Sequence, residues 1–315
     1  MAVAVEVHEL VKEFRGDVRA LDGVSFEVES GTVFGLLGPN GAGKTTIVRI
    51  LATIIPPTHG RAVVLGHDVV SESQTVRGLI GLAGQFAAVD ENLTGKENLQ
   101  MVGRLNHLSW SVVSERSKDL LERFDLVAAA NRPVKTYSGG MRRRLDVAAA
   151  LVARPRVLFL DEPTTGLDPQ SRLEVWTTVE RLVAEGTTVL LTTQYLEEAD
   201  RLADRLVVID HGKLIADGTP ESLKAGLGTT VLDIGMADED SARRAAEALG
   251  RARGLAPMVE GTTVELNVDD GPSVVSEALR LLQDNELAPA TLALRQPSLD
   301  DVFIALTGHR TDTGE

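Results

Sequence analysis

The chain has 315 residues, of which 43% are hydrophobic and 25% charged, and this is enough for one sizeable core and a small second domain. It has no cysteine, which excludes disulfides, thiol catalysis and zinc held by cysteine. Its formal charge of −14 does not suit a phosphate backbone, and no apolar run approaches the roughly 20 residues of a membrane-spanning helix. Nucleic acid is therefore not expected as a partner.

The first third of the chain alternates short β-rich segments with glycines. Strands are predicted at Val3–Val7, Val24–Val28 and Val33–Leu37. The last of these is continuously apolar, which is typical of a strand buried on both faces. Apolar residues at helical spacing then predict a helix over Thr45–Ile54, ended by the prolines that follow.

The middle of the chain predicts strands and helices in alternation. Residues 94–128 and 170–185 have mostly helical patterns, whereas Val157–Leu160 and Thr187–Thr192 have the composition of buried strands. Strands that alternate with helices favour a parallel sheet covered by helices.

The pattern changes after residues 225–230, which are predicted to be a linker. The elements that follow have the order of a small ferredoxin-like βαββαβ unit, and a short amphipathic segment ends the pattern at Asp300–Leu306. The predicted elements of this unit are Val231–Ile234, Ser241–Leu249, a strand near Met258, Thr263–Val268, Val274–Gln283 and Ala290–Leu294.

A glycine-rich motif lies between the predicted strand Val33–Leu37 and the predicted helix. Glycines let backbone amides surround phosphates, and the helix N-terminus adds a favourable field. The motif predicts that Lys44 reaches the β- and γ-phosphates and that the Thr45 hydroxyl binds Mg²⁺. The sequence therefore predicts ATP or GTP binding through Gly38, Pro39, Asn40, Gly41, Ala42, Gly43, Lys44, Thr45 and Thr46.

Two acids follow the apolar segment Val157–Leu160. Asp161 is expected to hold Mg²⁺ directly or through water, and Glu162 to polarise the attacking water. Apolar strands that end in an acid are common, so the pair is weak evidence by itself. Together with the phosphate loop it favours a nucleotide hydrolase.

The segment Tyr137–Met141 resembles the signature motif of ATP-binding-cassette (ABC) ATPases. The resemblance implies a second anion site that closes on the γ-phosphate held by another copy of the chain, so that ATP lies inside a homodimer. The segment Thr165–Asp168 resembles the loop of this family that crosses the dimer. The residues implied in these two motifs are Ser138, Gly139, Gly140 and Asp168.

Three further positions are interpreted through this resemblance. Gln85 resembles the family's glutamine that contacts Mg²⁺ and senses the membrane partner. Phe14 occupies the place of the aromatic residue that stacks on adenine, although an ordinary aromatic at a strand end is the alternative. The basic run Arg142–Arg144 is interpreted as a solvated helix face or as charges near the nucleotide.

Gln194 stands where the family usually has a histidine that contacts the γ-phosphate. An amide can donate a hydrogen bond to a phosphate oxygen, but it cannot carry a proton or a positive charge. Hydrolysis without a histidine-type acid limb is therefore expected. A degenerate site that binds nucleotide without hydrolysing it is the alternative.

Residues 137–151, 192–200 and 297–303 together resemble the daunorubicin/doxorubicin-resistance type of ABC subunit. This resemblance implies an α/β P-loop cassette over 1–225, with a parallel-sheet core, an antiparallel β subdomain and a helical subdomain at about 90–150. It also implies a small α+β domain over 230–308 with a regulatory or dimer-supporting role. Residues 309–315 are expected to form a flexible tail.

By this resemblance the chain is an ATPase that uses ATP and Mg²⁺ to drive drug efflux through a separate permease, at the cytoplasmic side of the cell membrane. One alternative is an ABC ATPase that acts on nucleic acid or ribosomes, for which two cassettes or zinc inserts are typical. The other alternative is a nucleotide-binding switch. It predicts that the wild-type chain turns over ATP as slowly as a Glu162→Gln variant.

Overall fold

The computed structural model describes residues 2–16, 18–84, 89–226, 230–251, 257–268 and 271–307. These residues form two compact units, the first extending to Gly218 and the second beginning at Thr219. The domain limits of 1–225 and 230–308 remain a prediction. None of the helices in the described ranges combines the length and the apolar composition needed to cross a bilayer.

The first unit contains two sheets and seven helices in its described part. Its strands are β1 (Val3–Phe14), β2 (Val18–Glu29), β3 (Val33–Leu37), β4 (His59–Val64), β5 (His67–Asp68), β6 (Ile80–Ala83), β7 (Val157–Asp161), β8 (Thr188–Thr193), β9 (Arg205–Asp210) and β10 (Lys213–Gly218). Its helices are α1 (Lys44–Leu51), α2 (Ser73–Leu79), α3 (Gly95–Leu105), α4 (Trp110–Arg123), α5 (Gly139–Leu151), α6 (Pro169–Ala184) and α7 (Leu196–Leu202). Short 3₁₀ turns lie at Val127–Ala129 and Val134–Thr136.

The larger sheet has the order β10-β9-β3-β8-β7-β6 and is parallel except for its edge strand β10. Strands β3, β7 and β8 are buried at every residue. This confirms the parallel sheet that the continuous apolar patterns predict. Leu37 pairs with Thr193, and Asp161 pairs with Thr192, so the carboxyl ends of these three strands lie side by side. Open α/β sheets bind their ligands at such an edge.

The second sheet is antiparallel, with the order β2-β1-β4-β5. Strands β1 and β2 extend well beyond the predicted segments Val3–Val7 and Val24–Val28. The predicted segments are too short because the register of the two strands is irregular. The pairing shifts between Val7 and Leu10, and Glu9 takes a φ of 45°. A bulge of this kind breaks the alternation of apolar and polar residues that predicts a strand.

Two predicted helices differ from the observed ones. Helix α1 ends at Leu51, before the predicted Ile54, and the chain leaves it through Thr53 at a φ of 60°. The region 94–128 is divided into α3 and α4 by a turn in which His107 has a φ of 58°. A reciprocal pair of hydrogen bonds between Thr94 and Glu97 fixes the start of α3.

The second unit has an antiparallel sheet packed against helices. The sheet order β12-β13-β11-β14 is that of a ferredoxin-like βαββαβ unit, as predicted. Arg295 holds the last helix in place, since its guanidinium donates to Asp301 over 2.6 and 2.9 Å and to Asp233 over 2.8 Å. The elements are α8 (Pro220–Ala225), β11 (Thr230–Gly235), α9 (Glu239–Gly250), β12 (Met258–Glu260), β13 (Thr263–Val268), α10 (Gly271–Asp284), β14 (Thr291–Arg295) and α11 (Leu299–Thr307).

Candidate nucleotide-binding and hydrolysis site

The loop between β3 and α1 borders a cavity of about 220 Å³ at the carboxyl edge of the parallel sheet. Two glycines are required by its shape. A Cβ atom on Gly38 would lie 2.2 Å from the carbonyl oxygen of Ile209, and Gly43 has a φ of 109°. The cavity is lined by Ala20, Asn40, Gly41, Ala42, Gly43, Lys44, Thr45, Thr46 and Glu162.

The N-terminus of α1 points a set of uncapped amides at this cavity. Its N-cap residue is Gly43, which has no side chain to accept from those amides, and the first turn carries no acid. The positive end of the helix dipole is thus left without a negative partner in its own first turn. This arrangement fits the phosphate groups of a nucleotide.

Lys44 is buried in the wall of the cavity, with 3% of its surface exposed. Its Nζ donates to the carbonyl oxygens of Gly38 over 2.7 Å and Pro39 over 3.1 Å, and lies 3.5 Å from Oε1 of Glu162. Burial lowers the pKa of the Lys44 ammonium, while the carboxylates of Glu162 and Asp161 oppose that shift. A phosphate that enters the cavity meets a cation already in place.

Asp161 and Thr45 bring two oxygen ligands together. Oδ1 of Asp161 accepts hydrogen bonds from the hydroxyls of Thr45 at 3.1 Å and Thr192 at 2.6 Å. The described residues contain no group of three or more acids and histidines that could hold a metal ion. Mg²⁺ usually takes only one or two protein oxygens and completes its shell with water and substrate phosphates. The pair therefore fits the protein's share of a magnesium–nucleotide site.

Glu162 has a left-handed backbone, with a φ of 49°. Its amide donates to the carbonyl oxygen of Thr192 at 3.2 Å and to the hydroxyl of the same residue at 3.0 Å. Its carboxylate is 8% exposed and lines the cavity, where Oε2 accepts from the Thr165 hydroxyl at 3.4 Å. A left-handed residue other than glycine is strained and persists only when its surroundings hold it.

Gln194 follows the last residue of β8. The carbonyl oxygen of Thr193 accepts from the amide of Gly38 at 3.3 Å, so Gln194 begins directly beside the phosphate loop. Its side chain is half-buried. Gln85, which sequence reasoning places in the same site, lies outside the described residues.

The signature residues and Asp168 are not among the residues that line the cavity. Ser138 is the N-cap of α5 and accepts from the Met141 amide at 3.2 Å, and both Ser138 and Gly139 are exposed. A Cβ on Gly140 would lie 2.4 Å from the hydroxyl of Ser171, next to the start of α6.

Asp168 caps α6, and its hydrogen bonds from the Ser171 hydroxyl and amide lower the pKa of its carboxyl.

Phe14 ends β1 and is also outside the cavity lining. It is 44% exposed, and the ammonium of Lys12 lies 5.3 Å from its ring centroid.

The basic run Arg142–Arg144 is divided by the structure into three different environments. Arg142 pairs with Glu91 at the surface over 2.8 Å, and Arg144 pairs with Glu174. Arg143 is buried, and its Nη2 donates to the carbonyl oxygen of Asp161 at 3.2 Å. The interpretation as a solvated helix face is therefore wrong for Arg143. Its spacing to Asp146, one helical turn ahead, is the only signal that the sequence offers for this burial.

Comparison with known proteins agrees with this geometry. Residues 21–165 match the family described as ABC transporter. A daunorubicin resistance ATP-binding protein of Streptomyces coeruleorubidus is 52% identical over 99% of this chain and 97% of its own length. A Nod factor export ATP-binding protein of a Rhizobium species is 40% identical over 98% of this chain and 99% of its own length.

Among solved structures, a component of an ABC transporter complex from Clostridium perfringens superposes with a TM-score of 0.66. It is 26% identical and covers 71% of this chain and 92% of its own length. The chain belongs to the ABC transporter family, as an ATP-binding subunit of the daunorubicin/doxorubicin-resistance type.

Proposed function

We propose that this chain, an ATP-hydrolysing motor subunit of an ABC exporter, works as a homodimer that drives a separate permease in drug efflux. One observation carries the dimer. The cavity that holds Lys44 and Glu162 does not include the exposed signature residues Ser138 and Gly139. A second copy of the chain supplies those residues to complete the site.

The residues of one copy bind and orient the nucleotide. The uncapped amides of α1 and the ammonium of Lys44 take the phosphates, whose charge displaces the Glu162 carboxylate from the lysine. The freed carboxylate then orients the attacking water and accepts its proton. Thr45, Asp161 and Gln85 would hold Mg²⁺, which neutralises charge on the phosphate oxygens when bound.

The second copy completes the phosphate shell. Ser138 begins α5, so its hydroxyl and the amides that follow form an anion site at a helix N-terminus. Asp168, at the exposed start of α6, reaches across the same interface. ATP thus holds the two copies together, and its hydrolysis releases them. This cycle moves a permease at the cytoplasmic side of the membrane.

The cargo is proposed from the relatives. Two relatives, at 52% and 51% identity, are named for daunorubicin and daunorubicin/doxorubicin resistance, and a relative at 40% identity is named for Nod factor export. An amphipathic drug of the anthracycline type is therefore the proposed cargo.

Efflux is tested by expressing the chain together with the permease of a daunorubicin-resistance relative. We expect cells that carry the wild-type chain to retain less fluorescent daunorubicin than cells that carry Glu162→Gln. If both cells retain the same amount, while the purified wild-type chain hydrolyses ATP, the drug-efflux proposal is wrong and the ATPase assignment stands.

Gln194 favours a second candidate, a nucleotide-binding switch with little turnover. For a hydrolysing enzyme, we expect the wild-type rate to show no acid limb near pH 6.5, because an amide does not titrate. The variant Gln194→His should gain one, since a histidine has an ordinary pKa of about 6.5 and loses its acceptor nitrogen below that pH. The measurement is steady-state phosphate release between pH 5.5 and 8.5, with Glu162→Gln as the blank.

The outcomes of this experiment separate the two candidates. If the wild-type rate already falls near pH 6.5, the group that titrates lies elsewhere than at position 194. Wild-type turnover no higher than the blank, with turnover restored by Gln194→His, would favour the switch.

A further inference from the structure

Arg143 makes more polar contacts around Glu162 than a role in packing alone would require. Its side chain is buried, and its guanidinium donates to four acceptors from three parts of the chain. Nε donates to the carbonyl oxygen of Pro163 at 2.7 Å, and Nη2 to that of Asp161 at 3.2 Å. Nη1 donates to the Asp146 carboxylate at 3.2 Å and to the carbonyl oxygen of Gly84.

Two of these acceptors flank Glu162 in sequence. The guanidinium therefore holds the carbonyl oxygens of the two residues that flank Glu162, whose backbone is strained at a φ of 49°. On the opposite side, Thr192 fixes the Glu162 amide through its carbonyl oxygen and its hydroxyl. Together these contacts fix the backbone from which the Glu162 side chain extends.

The other two acceptors connect this arrangement to the rest of the site. Gly84 directly follows β6, so the same guanidinium also holds the end of that strand. Arg143 itself lies on α5, whose N-cap is Ser138. One side chain thus joins the signature helix, the end of β6 and the end of β7, which directly precedes Glu162.

We propose that Arg143 is a positioning residue for ATP hydrolysis, which orients the Glu162 carboxylate by holding the carbonyl groups on either side of it. This inference rests on the proposed role of Glu162 as the general base. Packing alone does not explain an arginine here, because a buried ion pair such as Arg143–Asp146 is often no more stabilising than apolar side chains of the same volume. A planar guanidinium spreads five N–H donors over three nitrogens and can reach these four separated acceptors at once, whereas the three donors of a lysine share a single nitrogen.

The test is Arg143→Lys in the purified chain, with Arg144→Lys on the same helix as the matched control. Lysine keeps the charge opposite Asp146, but its single nitrogen cannot reach all four acceptors that Nε, Nη1 and Nη2 of Arg143 reach. We expect kcat to fall about a hundredfold, the cost of misplacing a reacting group by about 1 Å, with ATP affinity unchanged. The control should keep the wild-type kcat.

A second readout does not depend on turnover. Hydrogen–deuterium exchange of the peptide that contains Glu162 should be faster in Arg143→Lys than in the wild type and in Arg144→Lys, because the Glu162 amide loses its fixed geometry. If Arg143→Lys does not fold, the neutral pair Arg143→Gln with Asp146→Asn replaces it, with the same expectations. Unchanged exchange and unchanged kcat overturn the proposal.

A double-mutant cycle separates this proposal from the one on which it rests. If Arg143 acts through Glu162, adding Arg143→Lys to Glu162→Gln should lower the residual rate no further, because residues that act as a unit are not additive. Additive losses would show that Arg143 acts elsewhere. If Glu162→Gln leaves hydrolysis unchanged, the role of Glu162 itself is wrong.

Discussion

Replacing Glu162 with glutamine is expected to lower steady-state ATP hydrolysis by about 10²–10⁴-fold, the usual contribution of a general base. Glutamine has nearly the same shape and can still accept the hydrogen bond from Thr165. It cannot accept a proton from the attacking water. ATP binding should be unchanged or tighter, because the substitution removes a negative charge that lies 3.5 Å from the Lys44 ammonium.

Phosphate release and fluorescent-nucleotide titration of the same preparation measure the two effects. Glu180→Gln, at a surface ion pair with Arg201, is the matched control and should behave as wild type. Because ATP persists in Glu162→Gln, this variant should also elute as a dimer with ATP, and Ser138→Arg should abolish that dimer. A Glu162→Gln chain that still hydrolyses ATP at the wild-type rate would exclude Glu162 as the base.

Much of the site could be predicted from the sequence because its parts follow from local pattern. The continuous apolar strand β3 and the glycine loop predict where Lys44 and Thr45 lie. The apolar strand β7 likewise places Asp161 and Glu162 at the same edge. The structure brings these four residues together, since the parallel strands β3 and β7, on either side of β8, end at the same edge of the sheet.

What the sequence could not predict depends on contacts between distant segments. Arg143 lies in a basic run that resembles a solvated helix face, and only the packing of α5 against the end of β7 shows that it is buried. Ser138 and Asp168 show a different limit, which concerns local pattern. Both cap helices, and serine and aspartate are common caps, so only the family resemblance, and not their local pattern, indicates the proposed role toward a second copy.

Replacing Lys44 with methionine is expected to impair both binding and hydrolysis, in contrast to Glu162→Gln. Charge-assisted hydrogen bonds contribute about 1.5–3 kcal/mol each, so ATP affinity should fall by about one to two powers of ten. Methionine also leaves the carboxylates of Asp161 and Glu162 without the opposing ammonium, so the phosphates meet net repulsion. Loss of one preorganised donor to the transition state should lower kcat by a further factor of about 10²–10³.

Titration with a fluorescent nucleotide and phosphate release at saturating ATP separate these two losses. Lys118→Met is the control, because Lys118 is exposed and pairs only loosely with Glu122 at 3.9 Å. Wild-type ATP affinity in Lys44→Met would mean that the buried ammonium serves the loop's own carbonyl groups rather than the phosphates. Reduced ATP affinity in Lys44→Met, together with retained affinity in Glu162→Gln, would instead assign ATP binding to Lys44 and proton transfer to Glu162. Their contact in the cavity wall predicts this difference in role.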